Sequence, residues 1–265
     1  MTGVQTLNRS GSRFYVDPET NKKAPSVTSV VSMLPKPFLT AWAAKLTAEN
    51  ALENLGSIVD LALTDRDGAL DYMKRAHRRV TKAAAGVGTE VHDLFERVAR
   101  GETVRHVHPD VRPYLDHIHA FHERYQPEHR HIEDAVWSDE HDYAGSFDAI
   151  SDIDGETVII DVKTTRSGVH EDVALQLSAY AHADRIIKQD GQSHSLPDIQ
   201  AGAALHLRPE GWRLVPVRVD EEVLAYFLHL RSIFDWNNEV AKTVIGKPDY
   251  ESSASTGSQR RKATR

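Results

Sequence analysis

Residues 158–165, VIIDVKTT, alternate with the period of a β-strand. Successive strand side chains face opposite ways, so Val158, Ile160 and Val162 share one face, and Ile159, Asp161 and Lys163 share the other. The first face suits a core. The second sets a carboxylate beside an ammonium, which is costly to bury unless the charges are paired or used. Two readings stand open: a structural ion pair near a strand end, or a catalytic pair at the rim of a sheet.

The same patterning divides the rest of the chain. Residues 13–25 read as a short extended or hairpin segment turning at DPETNKK. From about 27 to 83 the chain reads as mostly helical, interrupted at Pro35 and Pro37, with DGALDYMKRAHRRVTKAAAG as a late helix. In GTEVHDLFERVARGE, Val91, Leu94, Phe95 and Val98 fall at i, i+3, i+4 and i+7, which predicts an amphipathic helix ending near Gly101. A further helix runs from Pro109-Asp110 to near Pro127. Three strands are predicted at about 131–138, 143–151 and 156–163, the last two joined by a tight turn at Gly155. EDVALQLSAYAHADRIIKQD reads as one long helix, AGAALHLR and WRLVPVRV as a hairpin around PEG, and DEEVLAYFLHLRSIFDWNNEVA as a closing helix. There is no internal repeat. The expected fold is an α/β core with a mixed sheet, residues 85–250, behind a mostly helical region, residues 1–84. Residues 251–265, rich in Ser, Thr and basic side chains, are expected to be disordered.

Composition narrows the chemistry. The 265 residues include no cysteine, which excludes disulfides, thiolate catalysis and cysteine-held iron–sulfur clusters. The N-terminus lacks the basic-then-apolar pattern of a signal peptide, and no apolar run approaches a membrane span, so a cytoplasmic location is expected. The net charge is −7, unevenly spread. Residues 252–265 carry four positive charges and no acid, leaving −11 on residues 1–251. Within that acidic body KRAHRRVTK (74–82) holds Lys74, Arg75, Arg78, Arg79 and Lys82 without an acid. A polyanion would have to bind locally on such a stripe; a solvated helix face is the plainer reading.

Other side chains line up with Asp161 and Lys163. Asp148, in YAGSFDAIS, lies one turn away across Gly155, and in a hairpin the two aspartates can face each other. Two carboxylates so close repel unless a cation sits between them, and hard oxygen ligands suit Mg²⁺ or Mn²⁺. His92 lies about 100° round from Val91, at the border of its helix's buried face, with Gly88 one turn earlier permitting close approach. Gln176 and Tyr180 are one turn apart on the helix after the strand pair. Of fifteen histidines, His108, His117, His119, His122, His129 and His131 cluster, but no spacing matches a zinc site, and a wetted helix face explains them better.

GTEVH (88–92), AGSFDAI (144–150), IIDVKTT (159–165) and QLSAY (176–180) occur in that order. Together they resemble the PD-(D/E)XK nuclease superfamily, with its restriction-endonuclease-like core, and specifically its RecB-like exonuclease branch. PSVTSVVSMLPKPFLTAWAAK (25–45) is similar to nucleases of this type from actinobacterial phages, for which the location would be a bacterial host's cytoplasm. The resemblance implies that Asp148, Asp161 and the Val162 carbonyl ligate one or two Mg²⁺ or Mn²⁺ ions, with His92 as a further ligand. It implies that Lys163 orients or activates the attacking water and steadies the phosphate, and that Gln176 and Tyr180 position the site or contact DNA. Glu133 is a further contributor. CRISPR-associated members of the branch hold an iron–sulfur cluster through four cysteines; this chain has none and is not of that type.

The implied activity is divalent-metal-dependent hydrolysis of DNA, with exonuclease action resting on the resemblance. On that reading Arg75, Arg78, Arg79 and Lys82 gain weight as backbone-phosphate contacts. The alternatives are a non-catalytic DNA-binding or scaffold protein of the same fold, against which intact Asp148, Asp161 and Lys163 argue, and a structure-selective endonuclease resembling a junction resolvase.

Overall fold

In the computed structural model, which describes residues 4–250, the chain opens with an antiparallel hairpin of β1 (Gln5–Arg9) and β2 (Ser12–Val16). The two-residue turn has Ser10 at φ 52° and Gly11 at φ 82°, the left-handed pair that matches strand twist in tight hairpins. The turn expected at DPETNKK leads into β3 (Lys23–Pro25), which pairs with β2. The polar strand β1 carries no apolar alternation and was not expected.

Ser26 caps the short helix α1 (Val27–Val31), accepting from the Ser29 N–H at 3.0 Å. After the expected break at Pro35 and Pro37 come α2 (Phe38–Glu53), α3 (Leu55–Thr64) and α4 (Arg66–Lys74), the last capped by Asp65. Helix α5 (Ala76–Ala99) corrects the reading of two helices here: the basic run and the His92 segment lie on one continuous helix, unbroken by Gly86 and Gly88. The boundary expected between residues 84 and 85 therefore falls inside a helix. A 3₁₀ turn (Pro109–Val111) leads into α6 (Arg112–Tyr125), which ends at left-handed Gln126.

The strands that follow are β4 (Glu128–Ile132), β5 (Ala135–Ser138), β6 (Tyr143–Ser146), β7 (Ala149–Ile153) and β8 (Glu156–Lys163). The two strands expected at 131–138 and 143–151 are thus four. Each breaks in the middle and changes sheet, at Glu133-Asp134 and at Phe147-Asp148. The breaks are tied together, the Glu133 N–H donating to the Asp148 carbonyl (3.0 Å) and the Phe147 N–H to the Asp134 carbonyl (3.2 Å). Glu133 makes the bend with φ 53°, a conformation costing a non-glycine residue on the order of 1–2 kcal/mol.

The long helix expected over 171–190 is also shorter. Helix α7 (Asp172–Ala181) ends at His182, and Arg185–Ile187 forms β9, whose β-branched pair Ile186 and Ile187 adds to the edge of β5. The remaining elements are β10 (Ser193–Ser195), β11 (Ala201–Arg208), β12 (Gly211–Val217), with the expected turn at Pro209-Glu210, and α8 (Glu221–Asn238).

The central sheet is mixed and five-stranded, in the order β12-β11-β8-β7-β4, with β8 and β11 parallel and the other pairs antiparallel. A second sheet runs β10-β9-β5-β6. The alternation in β8 separates two cores. Val158, Ile160 and Val162 pack with α5 and α6 residues such as Val91, Phe95 and Ile118. Ile159 packs on the other face with Leu177 and Tyr180 of α7 and Phe227 of α8. Helices therefore flank both faces of the sheet, and β8, buried on both, ends at Asp161 and Lys163. The disordered tail expected at 251–265 lies outside the described residues.

Candidate active site

Asp148 follows the bend from β6 into β7. Ala149 pairs with Ile160, so Asp148 and Asp161 fall at the next opposed positions of the ladder, as the hairpin reading expected. Asp148 is buried and doubly held: Oδ2 accepts from the Val162 N–H at 2.5 Å, and Oδ1 lies 2.8 Å from His92 Nδ1. His92 reaches it from α5, whose apolar stripe turns Val91, Leu94 and Phe95 inward and leaves His92 half-buried at the border. Gly88, one turn earlier, lets α5 approach the end of β8: a Cβ there would lie 3.3 Å from Thr164 Oγ1.

Glu133 closes the group from the other bend. Ligand atoms of His92, Glu133 and Asp148 all lie within 4.8 Å of one another. Asp161, buried at the end of β8, sits beside them. Its Oδ1 accepts from Lys163 Nζ (2.9 Å) and Gln176 Nε2 (2.8 Å). Lys163 Nζ is also 2.7 Å from Oδ2, so the ammonium lies against both oxygens of the buried carboxylate. Gln176 in turn donates to the Tyr180 hydroxyl at 3.3 Å. Tyr180 packs against Gly145, where a Cβ would stand 2.6 Å from the ring. Gln176 and Tyr180, one turn apart on α7, thus form one chain of contacts ending on Asp161.

The electrostatics of the group are those of a site short of positive charge. Burial, then the Asp148 charge, pushes the Glu133 carboxyl up to about 8. Burial pushes Asp161 up to about 6, with Asp148 adding and Lys163 opposing. Burial also disfavours the charged forms of Asp148 and His92, but each outweighs it for the other: Asp148 is held below and His92 above its ordinary value. A divalent cation would relieve all the carboxylates at once. Three carboxylates and one imidazole are a donor set that fits one.

Two side chains of the basic stretch make contacts within the protein. Arg75 pairs with Asp71 at 2.9 Å. Arg79 lies over the Tyr72 ring, 4.1 Å from its centroid, and donates to the Tyr72 carbonyl and Asn50 Oδ1, both at 2.9 Å. Arg79 thus joins α4 and α2 to α5, Arg75 pairs within its own stretch of chain, and both side chains remain exposed to solvent. Arg78 and Lys82 are exposed and form no ion pair among the described residues. At 1.5 Å per residue, Lys82 and Arg78 stand roughly 15 and 21 Å from His92 along α5.

The histidines are not simply a wetted face. His122 Nε2 and His129 Nε2 are 3.0 Å apart, and His129 Nδ1 is 2.6 Å from Ser151 Oγ. Burial lowers both histidines, His129 to about 4. The contact joins α6 to β4 and was not visible in the spacing. Among the described residues, His92, Glu133 and Asp148 are the one group of three side chains close enough to share an ion.

No curated protein matches the chain. Among solved structures it is similar to that of SSO0001, with TM-score 0.35 and 15% identity, covering 74% of this chain and 85% of that one; a likeness of this size carries no argument. The family model of the PD-(D/E)XK nuclease superfamily matches residues 35–251, a span that holds every residue of the acidic group just described. The chain therefore belongs to the PD-(D/E)XK nuclease superfamily, whose members are usually nucleases that use divalent metals.

Proposed function

We propose that this protein is a divalent-metal-dependent deoxyribonuclease of the RecB-like branch, acting as an exonuclease. The observation that carries the hydrolytic reading is the meeting of His92, Glu133 and Asp148 beside the Asp161–Lys163 pair. Exonuclease action rests on the four motifs and their order, and the phage relationship on the likeness of residues 25–45.

His92, Glu133, Asp148 and Asp161 would hold Mg²⁺ or Mn²⁺, with the Val162 carbonyl as a further oxygen at the same strand end. When bound, the ion polarises the phosphoryl group and makes water more acidic. The protein's own groups do the rest. The Val162 N–H and His92 fix both oxygens of Asp148, so little reorganisation is needed when substrate arrives. Gln176 holds Asp161, and Tyr180 holds Gln176. Lys163 Nζ places positive charge at the strand end, where the phosphoryl oxygens gain negative charge as water attacks. The exposed pair Arg78 and Lys82, one turn apart on α5, would touch phosphates of the same strand further from the scissile bond.

The experiment is digestion of end-labelled linear DNA beside closed circular DNA, with Mg²⁺, with Mn²⁺ and with chelator. An exonuclease releases label from the linear substrate in metal and spares the circle. Cutting of the circle would make the protein an endonuclease, and binding without cutting in either metal would make it a DNA-binding member of the fold.

A further inference from the structure

Beside the acidic group lies a cavity of about 400 Å³, within the size range of small-ligand sites. Glu133 lines it at one end. Three of its walls come from outside the sequence motifs, Arg13 and Tyr15 from the N-terminal hairpin and Lys188 just after β9, and a fourth is Ser146 of β6, inside AGSFDAI. We propose that this cavity is a phosphate subsite, holding the nucleic-acid backbone next to the scissile bond through Arg13, Lys188 and the Ser146 hydroxyl. The inference deepens the nuclease reading and rests on it.

The charges of the cavity support an anion away from Glu133. Of the other acids lining it, Glu96 is paired with Arg100 at 3.0 Å, and Asp134 with His131 at 3.2 Å and with the Gln189 N–H at 3.3 Å. Arg13 and Lys188 form no ion pair among the described residues. Two uncommitted cations therefore share one cleft in a chain of net charge −7. A backbone phosphate would supply the counter-charge that the protein lacks there.

Ser146 adds a directed donor. It is the exposed last residue of a strand otherwise buried, two positions before Asp148. The Ser146 N–H donates to the Tyr15 hydroxyl oxygen at 3.1 Å, and the two hydroxyls are 2.8 Å apart. Either hydroxyl can donate in the second contact; with a phosphate in the cavity, the Tyr15 hydroxyl donates to Ser146 Oγ. The Ser146 O–H is then free to donate into the cavity, to a phosphate oxygen. Tyr15, itself buried, is a positioning residue in this arrangement. It explains why β2 of an N-terminal hairpin reaches a strand 131 positions later.

The test compares wild type with Arg13→Gln/Lys188→Gln, Ser146→Ala, Tyr15→Phe and the Ser146→Ala/Tyr15→Phe double variant. KM and kcat are measured on short DNA in Mg²⁺, and the salt dependence of binding to the same labelled DNA is measured in Ca²⁺. Loss of both cations should lower the slope of log affinity against log salt by about 1.8 on duplex or about 1.4 on single strands. It should raise KM about three- to fivefold per contact, with kcat nearly unchanged. Ser146→Ala and Tyr15→Phe should each raise KM, and their combination should do no more than either alone. An unchanged salt slope with unchanged KM in the Arg13/Lys188 variant overturns the subsite. Tyr15→Phe that melts earlier but keeps its KM overturns the positioning role. Should wild type bind DNA but never cut it, the nuclease reading fails, while a reduced slope in the same variant would still locate the phosphate subsite.

Discussion

Glu133 and Asp148 are joined back to back: the Glu133 N–H donates to the Asp148 carbonyl at 3.0 Å, while their carboxylates converge with His92 on one point. Two strands change sheet at the same level, and each places an acid at its bend. The left-handed turn at Glu133 is costly unless something uses it. Metal binding should therefore stabilise the fold. At a concentration one hundred times Kd the gain is about 2.7 kcal/mol, or roughly 5–10 °C in Tm for a domain of this size. Glu133→Gln and Asp148→Asn should each reduce this shift severalfold or abolish it. Thermal melts with and without Mg²⁺ or Mn²⁺ check it, and an equal shift in both variants would remove these side chains from the ligand set.

Lys163→Ala should lower the cleavage rate by about 10²–10³-fold while leaving metal and DNA affinity nearly intact. Lys163 contacts Asp161 from the same strand face, so its charge reaches the site without a place among the ligands. A purely structural ion pair makes the opposite forecast, an early-melting variant that cuts normally. Melting, metal affinity and rate on one preparation separate the two.

Gly145→Ala drives a methyl group into the Tyr180 ring, which a Cβ would meet at 2.6 Å. The overpacking should cost about 1–3 kcal/mol. Because Tyr180 holds Gln176 and Gln176 holds Asp161, activity should fall further than the loss of folded protein explains. Urea unfolding beside the specific rate of the folded fraction measures both parts. A variant with normal stability and rate would mean that the Tyr180 chain does not matter.

Acid sensitivity should trace to His129. Burial holds its folded pKa at about 4 against an ordinary 6.5, so between these values the unfolded chain binds the extra proton. This contribution is complete above about 6.5 and is lost as pH falls through the folded value near 4. His129→Gln keeps an acceptor for Ser151 and a donor for His122 but does not titrate. Its Tm should fall less steeply than wild type over that window. Parallel curves would place the acid sensitivity elsewhere.

What could be read without coordinates was local. Asp161 and Lys163 share a face because the strand period is two, and His92 sits at the border of a helix stripe because the period is 3.6. The sheet changes at Glu133 and Phe147 were not legible: Glu133 adopts a positive φ that its residue type does not announce, so two broken strands read as continuous ones. The helix expected over 171–190 failed because pairing with β5 overrode the local preference of residues 185–187. The contacts of Arg79 were not legible either, because Asn50 and Tyr72, which it meets, lie on other helices. The Tyr15–Ser146 contact spans 131 positions and leaves no periodic trace.

Hydrolysis of DNA by the acidic group at Asp148 and Asp161 with a divalent ion is the reading on which the others depend. The most direct measurement is cleavage of labelled DNA by wild type, Asp148→Asn and Asp161→Asn in Mg²⁺, in Mn²⁺ and in excess chelator, with folding checked by circular dichroism. Wild type should cut in metal alone, and neither folded variant should cut. Undiminished cutting in chelator, or by both variants, would contradict that reading.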